Sequence, residues 1–246
     1  MTSTSCSDAN FTHTTKRRLT PSRLLPVILI FAFFFIGITV LCYPFISNYI
    51  NILHSSQVIE QLEQALENAD DKELKHQREL AELYNENLRN PGENVSCPYN
   101  YEEILSFPGG IMGYLDIPLI NIHLPIYHGT GEDALAKGVG HLPDTAFPIG
   151  GKGNHSVLTG HTGLPSAKLF TDLTKLSVGD LFYINILGET LVYEVDQIKT
   201  VLPSEVNELL PTAEKDYCTL VTCTPYGVNS HRLLVRGSRI HIDDGE

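Results

Sequence analysis

The sequence has 246 residues, a formal net charge of −12 with histidine counted as neutral, and no tryptophan. A chain of this length can hold one medium-sized domain together with accessory segments. Nucleic-acid binding needs clustered lysine and arginine to neutralise phosphates, and no basic cluster follows residue 23. The composition therefore predicts no nucleic-acid partner.

The first strong feature is an uncharged apolar run from Leu24 to Tyr43. As a helix it would be about 30 Å long, enough to cross the hydrocarbon core of a bilayer. Basic residues at 16, 17, 18 and 23 precede the run, and such residues mark the cytoplasmic side. We predict a cytoplasmic tail over 1–23, a membrane span over 24–43 and an extracellular remainder. A cleaved signal peptide is the alternative, although the run is long for one and no small-residue cleavage site follows it.

The segment after the span has a helical pattern. Residues 56–90 contain neither glycine nor proline, and Ile59, Leu62 and Leu66 begin an apolar stripe at helical spacing. Asp70-Asp71 interrupts the stripe, which favours two helices over one. We predict a helical stalk over 47–90. The residues leave open whether it packs on the later domain, dimerises or is a solvated spacer.

Short apolar runs replace the helical pattern after an irregular segment that ends near Pro108. They are bounded by glycine, proline, asparagine or aspartate, which is typical of strands separated by turns. Gly188-Glu189 is a candidate type II′ turn between two of these strands. Seven or eight strands in about 130 residues predict a mainly β domain over 109–246, folded as a closed or nearly closed barrel.

One predicted strand, "CTLVTC", contains two cysteines. Side chains alternate between the faces of a strand, so Cys218 and Cys223 point to opposite sides. Cys218 lies within the strand and is predicted to be a small core residue. Cys223 lies at the carboxyl end, where a loop lets its side chain meet solvent. Of the two, Cys223 is therefore the candidate nucleophile.

A nucleophilic thiol needs a nearby cation or base, because an ordinary cysteine is mostly protonated at neutral pH. Arg232 follows Cys223 by nine residues, and a loop between two adjacent strands would place the two side by side. An arginine there can stabilise a thiolate or a developing oxyanion. Arg236 has the same parity but would lie farther from the loop. The alternative is that Arg232 is an ordinary surface cation.

A proton shuttle is the remaining requirement for cysteine chemistry. His161 ends an apolar strand and lies between Gly160 and Gly163, which allow close approach of other backbone. His128 and His141 also lie near turns. The spacing favours His161 but leaves the other two open.

The stretches "TLVTCTPYGVNSHRLLVRG" and "VLTGHTG" together resemble a sortase, most closely the class C type that polymerises pilins. The similarity covers about Met112 to Arg239. It implies a sortase-type β-barrel with Cys223 as the nucleophile, His161 as the acid/base and Arg232 as the cation that orients substrate and stabilises the oxyanion. It implies no cofactor, and the sequence contains no acidic cluster that favours a metal.

The resemblance further implies a membrane-anchored transpeptidase. Its partners would be pilin or surface-protein substrates with LPxTG-like sorting signals, an acceptor pilin lysine, and the bilayer through residues 24–43. Three alternatives stay open. The first is a housekeeping sortase that attaches proteins to cell-wall peptide. The second is a cysteine endopeptidase, and the third is a non-catalytic, membrane-anchored interaction protein.

Class C sortases commonly carry a lid with an Asp-Pro-aromatic motif before the barrel. The corresponding residues in the predicted lid segment, 91–108, are Cys97, Pro98 and Tyr99. Pro98 and Tyr99 fit the motif, whereas Cys97 departs from its aspartate and puts any lid–Arg232 salt link in doubt. One hypothesis is that Cys97 forms a disulfide with Cys223 and locks the enzyme. The alternative is that Cys97 is a tolerated small residue.

Overall fold

The computed structural model describes residues 21–90 and 100–241, with side chains from residue 25 onward. Helix α1 runs from Pro21 to Glu67, and α2 runs from Asp71 to Arg89. The chain divides into two units, residues 1–42 and residues 43–246. In its described part, the first unit is the amino-terminal portion of α1.

Helix α1 is long and apolar enough to cross a membrane from Leu25 onward, and its most apolar window is not buried. The predicted span and the first half of the predicted stalk are thus one uninterrupted helix. A break at residues 68–70 separates α1 from α2, and the Asp70 side chain caps α2 by accepting a hydrogen bond from the Lys72 backbone N–H. The prediction of two helices divided near Asp70 is confirmed.

The described residues after α2 form a closed barrel of eight strands, which confirms the predicted mainly β architecture. The strands are β1 (Ile111–Ile117), β2 (Ile122–His128), β3 (Val139–His141), β4 (Asn154–Thr159), β5 (Leu181–Ile186), β6 (Glu189–Val201), β7 (Asp216–Thr224) and β8 (His231–Ile240). Their order around the barrel is β1-β2-β3-β4-β7-β8-β6-β5, and β5 pairs with β1 to close it. A short helix α3 (Glu132–Leu135) and four 3₁₀ segments (Tyr101–Glu103, Pro118–Ile120, Leu169–Lys175, Asn207–Leu209) lie in the connections.

The turn between β5 and β6 differs from the predicted one. Ile186 pairs with Glu189, so the two connecting residues are Leu187 and Gly188. Both have positive φ, 52° and 78°, which is the conformation of a type I′ turn. The type II′ turn predicted at Gly188-Glu189 was wrong by one residue, because Glu189 is already paired in the ladder.

Both helices pack on the barrel. Val58 and Leu62 of α1 contact Ile111 and Tyr127, while Leu80 and Ala81 of α2 join the main barrel core. Burying these side chains stabilises the helices against the β-domain. In the structure, the predicted stalk therefore packs on the later domain, which was one of the alternatives left open by the sequence.

Asn85 fixes α2 to the barrel through both the oxygen and the nitrogen of its side-chain amide. Its side chain is buried, accepts a hydrogen bond from the Phe147 backbone N–H at 2.7 Å and donates one to the Phe147 carbonyl at 3.1 Å. Asn85→Ala would leave the Phe147 backbone N–H without this partner, while the Phe147 carbonyl keeps its hydrogen bond from the Ile149 N–H, so we expect it to lower the free energy of unfolding by about 1–3 kcal/mol. Urea denaturation measures this. The half-buried Asn87 on the same helix offers a control, and Asn87→Ala should cost about 0.5 kcal/mol or less. Equal losses in the two variants would contradict the bridging role of Asn85.

Candidate active site

Three adjacent strands bring the predicted site residues together. In the antiparallel β7–β8 pair, Cys223 lies directly opposite Arg232. In the parallel β4–β7 pair, the last partners are Thr159 and Val221, and His161 follows two residues later. Continuing this register places His161 beside Cys223. The three side chains therefore occupy one row across β4, β7 and β8.

Hydrogen bonds fix the chain on both sides of this row. The Gly160 backbone N–H donates to the Val221 carbonyl at 3.1 Å, and Thr222 Oγ1 donates to the Gly160 carbonyl at 2.8 Å. The His161 carbonyl accepts a hydrogen bond from the Phe170 backbone N–H at 3.0 Å. The backbone before and at His161 is thus tied to β7 and to the 3₁₀ segment at Leu169–Lys175. This limits the positions that the imidazole can take relative to Cys223.

The two glycines near His161 are required by close contacts with aromatic rings. A Cβ at Gly160 would lie 2.8 Å from the Phe170 ring. Gly163 has a φ of +73°, and a Cβ there would lie 2.7 Å from the Tyr226 ring. The glycines do permit close approach, as the sequence predicted, but the approaching groups are side chains rather than backbone.

His161, Cys223 and Arg232 line one cleft of about 420 Å³, and all three are partly exposed. The cleft walls are mainly apolar. One wall comes from the end of β6 and the β6–β7 connection, through Val201, Leu202, Pro203, Glu205, Val206 and Leu209. The sequence patterns did not predict this wall. The β6–β7 connection contains several apolar residues, and Leu202 and Val206 among them remain exposed. Apolar residues in an exposed connection were the signal that could have predicted this wall.

The two cysteines of β7 have opposite surroundings. Cys218 is fully buried in the core, where desolvation raises the pKa of its thiol well above the usual value. Cys223 lies on the cleft side of the strand and forms no disulfide with another cysteine of the described residues. The predicted core position of Cys218 is confirmed. Only Cys223 is placed where a substrate could reach it.

Arg232 and Arg236 also differ, although they lie on the same strand. Arg236 makes two 2.9 Å contacts to the carboxylate of Asp196 and lies 4.2 Å from the Tyr217 ring centre. Arg232 donates only to the backbone carbonyls of Asn229 and His231, at 3.2 and 3.1 Å. Over the described ranges, 21–90 and 100–241, no carboxylate forms an ion pair with Arg232. Its charge is therefore available to a group in the cleft.

The alternative histidines are held in structural hydrogen bonds. His141 is completely buried, with Nδ1 2.9 Å from the Tyr101 hydroxyl and Nε2 2.9 Å from the Ala146 carbonyl. A carbonyl only accepts, so Nε2 carries the proton and Nδ1 accepts from Tyr101. His128 Nε2 lies 2.7 Å from the Ile104 carbonyl. Desolvation lowers the pKa of both imidazoles, that of His141 to about 4. Neither histidine lines the cleft.

The burial of His141 predicts a pH-dependent stability. Its folded-state pKa of about 4 lies below the usual value of 6.5, so between these values the unfolded chain binds a proton that the folded chain does not. The contribution of the neutral, buried His141 imidazole to the free energy of unfolding is therefore complete above pH 6.5 and is lost as the pH falls towards 4. We expect the wild type to lose about 2 kcal/mol more than His141→Asn between pH 7 and pH 5, measured by urea denaturation. Parallel pH profiles for the two proteins would contradict this expectation.

The predicted lid residues Cys97, Pro98 and Tyr99 lie outside the described residues. The hypothesised Cys97–Cys223 disulfide therefore stays a prediction. The described chain resumes at Asn100, and the Tyr101 hydroxyl accepts a hydrogen bond from the Gly129 backbone N–H at 3.0 Å. Tyr101 also stacks on Phe147, so the carboxyl-terminal end of the predicted lid segment is fixed to the barrel.

Comparison with known proteins identifies this architecture. A family profile described as "Sortase domain" matches residues 115–240. Sortase D of Bacillus subtilis is 32% identical over 135 residues, which cover 54% of this chain and 65% of that protein. The solved sortase C1 of GBS pilus island 1 is 42% identical with a TM-score of 0.71, covering 78% of this chain and 95% of that one. A lid mutant of Streptococcus agalactiae sortase C1 is 43% identical with a TM-score of 0.70, covering 75% and 97% respectively.

Proposed function

Because the chain belongs to the sortase family, we propose that it is a membrane-anchored cysteine transpeptidase that cleaves an LPxTG-like sorting signal between threonine and glycine and joins it to a pilin lysine. The observation that carries this proposal is the row of His161, Cys223 and Arg232 along one apolar cleft. A nucleophile, a proton shuttle and a cation are the groups that amide exchange through a thioester needs.

In the proposed first step, the Cys223 thiolate attacks the threonine carbonyl carbon and a C–S bond forms. The carbonyl oxygen gains negative charge, and the Arg232 guanidinium stabilises it. The His161 imidazolium donates its proton to the glycine nitrogen as the C–N bond breaks. The glycine peptide leaves as a neutral amine, and the threonine acyl group remains on Cys223 as a thioester.

In the second step, a lysine amine attacks the thioester carbon and forms a new amide bond. Neutral His161 accepts the proton that the amine loses, and Cys223 leaves as the thiolate. The enzyme returns to its starting state, so the exchange needs no cofactor. The apolar walls suit the leucine and proline of the sorting signal and exclude water, which would otherwise hydrolyse the thioester.

The test of this proposal is a mass-spectrometric search for a thioacyl adduct on Cys223 after incubation of the full chain with an LPxTG peptide. We expect an added mass equal to the peptide up to its threonine, with release of the glycine-containing fragment. A Tyr99→Ala variant run in parallel tests whether the predicted lid limits access. Absence of the adduct from both proteins, with a thiol inert to alkylation, would favour the non-catalytic interaction protein instead.

The acceptor distinguishes the pilin-polymerising enzyme from the alternatives. Similarity to sortase C1 of GBS pilus island 1 favours a pilin lysine. We expect the preformed thioester to be consumed faster by a lysine-containing pilin domain than by a cell-wall peptide amine. The reverse order would indicate a housekeeping sortase, and consumption by water alone would indicate an endopeptidase.

We also propose the topology and domain boundaries that the sequence predicts. The apolar part of α1 spans the membrane over residues 24–43, and the positive residues of the 1–23 tail favour a cytoplasmic amino terminus. The stalk covers 47–90, the lid 91–108 and the catalytic barrel 109–246. The solved lid mutant of a similar sortase supports the lid assignment.

Arg232→Gln tests the oxyanion role. The variant keeps a hydrogen-bond donor but loses the charge, so we expect kcat for peptide cleavage to fall about 10²–10³-fold. Arg236→Gln is the matched control, because Arg236 lies on the same strand but pairs with Asp196 outside the cleft. Its kcat should stay within about threefold of wild type. Equal losses in both variants would indicate a structural rather than an electrostatic effect.

A further inference from the structure

The turns of α1 that follow the proposed span expose an apolar face. Ile46, Tyr49, Ile50 and Leu53 recur at the i, i+3, i+4, i+7 spacing of one helix face. Their exposed fractions lie between 45% and 62%. A helix in water normally turns such a face onto a core. Here the described part of the chain leaves the face uncovered.

The opposite face of the same turns is polar and contacts the barrel domain. Asn48 Oδ1 accepts a hydrogen bond from the Lys168 backbone N–H at 2.8 Å, and Asn51 Nδ2 donates to the Ala136 carbonyl at 3.3 Å. The polar face is therefore turned towards protein and the apolar face outward. This polarity is reversed relative to a helix in water and is the arrangement expected next to lipid.

The length of the apolar helix agrees with that environment. The proposed span over 24–43 already matches the hydrocarbon core, which is about 30 Å thick, and each headgroup layer adds about 5–8 Å. Ile46 lies about 5 Å beyond the span along the helix and Leu53 about 15 Å, so the first turns lie in the headgroup layer and a tilt of the helix brings Leu53 towards it. The turns beyond residue 43 thus extend into the headgroup layer. We propose that the face formed by Ile46, Tyr49, Ile50 and Leu53 lies in the outer headgroup layer of a phospholipid bilayer and holds the catalytic end of the barrel against the membrane surface. The inference rests on the proposed membrane span.

Phe45 of α1 and Tyr226 at the catalytic end of the barrel line the same groove, which has a volume of about 450 Å³. Phe45 lies two residues beyond the proposed span, so the groove must lie close to the membrane boundary. Tyr226 and Val228 belong to the β7–β8 loop that follows Cys223, and their exposed fractions are 70% and 69%. Tyrosine is enriched at this boundary, because its ring prefers the apolar side and its hydroxyl the polar side.

The contact is apolar rather than electrostatic. The cation of this groove, Lys168, is ion-paired with Asp172. We therefore expect docking that depends little on the charge of the lipid headgroups. Its consequence for catalysis is that the Cys223 cleft opens close to the membrane surface and receives sorting signals from membrane-tethered substrates.

The absence of tryptophan from the sequence permits a direct test with single tryptophan reporters. The full chain is reconstituted in phosphatidylcholine vesicles with or without lipids brominated near the headgroup end of the acyl chain. A second set of vesicles, with lipids brominated deep in the acyl chain, is used for Phe33→Trp, because residue 33 lies at the middle of the proposed span. Tyr226→Trp and Val228→Trp report on the β7–β8 loop, and Phe33→Trp reports on the span. Lys152→Trp is the control at the opposite end of the barrel, where residue 152 is exposed next to the start of β7.

We expect brominated lipid to remove about half of the emission of Tyr226→Trp and Val228→Trp, and to leave Lys152→Trp nearly unchanged, since quenching needs residence within about 5–10 Å of the headgroup boundary. Vesicles that contain anionic lipid should give the same result. Quenching of Phe33→Trp without quenching at 226 and 228 would overturn the docking inference and leave the span intact. If Phe33→Trp is also unquenched, the proposed span itself is wrong, and the docking inference falls with it.

Discussion

Replacing Cys223 with alanine is expected to lower the rate of sorting-signal cleavage by at least about 10⁴-fold and to remove the thioacyl adduct completely. The reason is that the proposed exchange passes through a bond to the Cys223 sulfur, and no other described thiol lines the cleft. Binding of the peptide should change little, because the apolar walls remain. Cleavage kinetics and intact-protein mass spectrometry measure both effects, and a binding assay separates them.

Cys218→Ala is the matched control for this prediction. Cys218 lies on the same strand but is fully buried among core residues. Its replacement should lower the stability by about 1–2 kcal/mol through the small cavity that it leaves, while the adduct still forms on Cys223. Cleavage by Cys223→Ala at the wild-type rate would show that another group is the nucleophile and would contradict the proposed mechanism.

His161→Asn is expected to lower kcat by about 10²–10⁴-fold, because asparagine can keep a hydrogen bond but cannot transfer a proton. The size of the effect should depend on the leaving group. A thioester or activated ester substrate needs no protonated leaving nitrogen, so the variant should regain much of its acylation rate with such a substrate.

His231→Asn is the corresponding control. His231 starts β8 next to Arg232, but its Nδ1 lies 2.9 Å from the Ser230 hydroxyl and its side chain does not line the cleft. We expect its kcat to stay within about threefold of wild type. A loss in His161→Asn that is the same for amide and activated ester substrates would contradict a role in protonating the leaving amine.

The local parts of the site were predictable from the sequence. Strand alternation alone predicts that the side chains of Cys218 and Cys223 face opposite sides of β7. Counting residues across one loop predicts that Arg232 lies opposite Cys223. Both inferences succeed because β7 and β8 are neighbours in sequence and in the barrel. The type I′ turn at Leu187-Gly188 was missed by one residue, because a leucine with positive φ is uncommon and local patterning gives no sign of it.

The partners of His161 could not be predicted from spacing. His161 is placed beside Cys223 by the continued register of a parallel pair, β4–β7, whose partners such as Asn154 and Asp216 are far apart in the sequence. No turn signal records such a pairing, so the spacing only favoured His161 over His128 and His141, and the resemblance to sortases decided between them. The outward apolar face of α1 was not predicted either, because the residues that contact the barrel, Asn48 and Asn51, look like ordinary surface residues.

The β4–β7 pair also bears on how the catalytic centre assembles during folding. The β7–β8 hairpin closes a short loop, so Cys223 can meet Arg232 early. The β4–β7 ladder closes a loop of about 60 residues, and long-range parallel pairing is slow because chain entropy is lost before contacts compensate for it. His161 therefore joins the other two residues late. Before this late pairing the chain would carry a thiol without its proton shuttle, and transpeptidase activity would appear only when the whole barrel has closed.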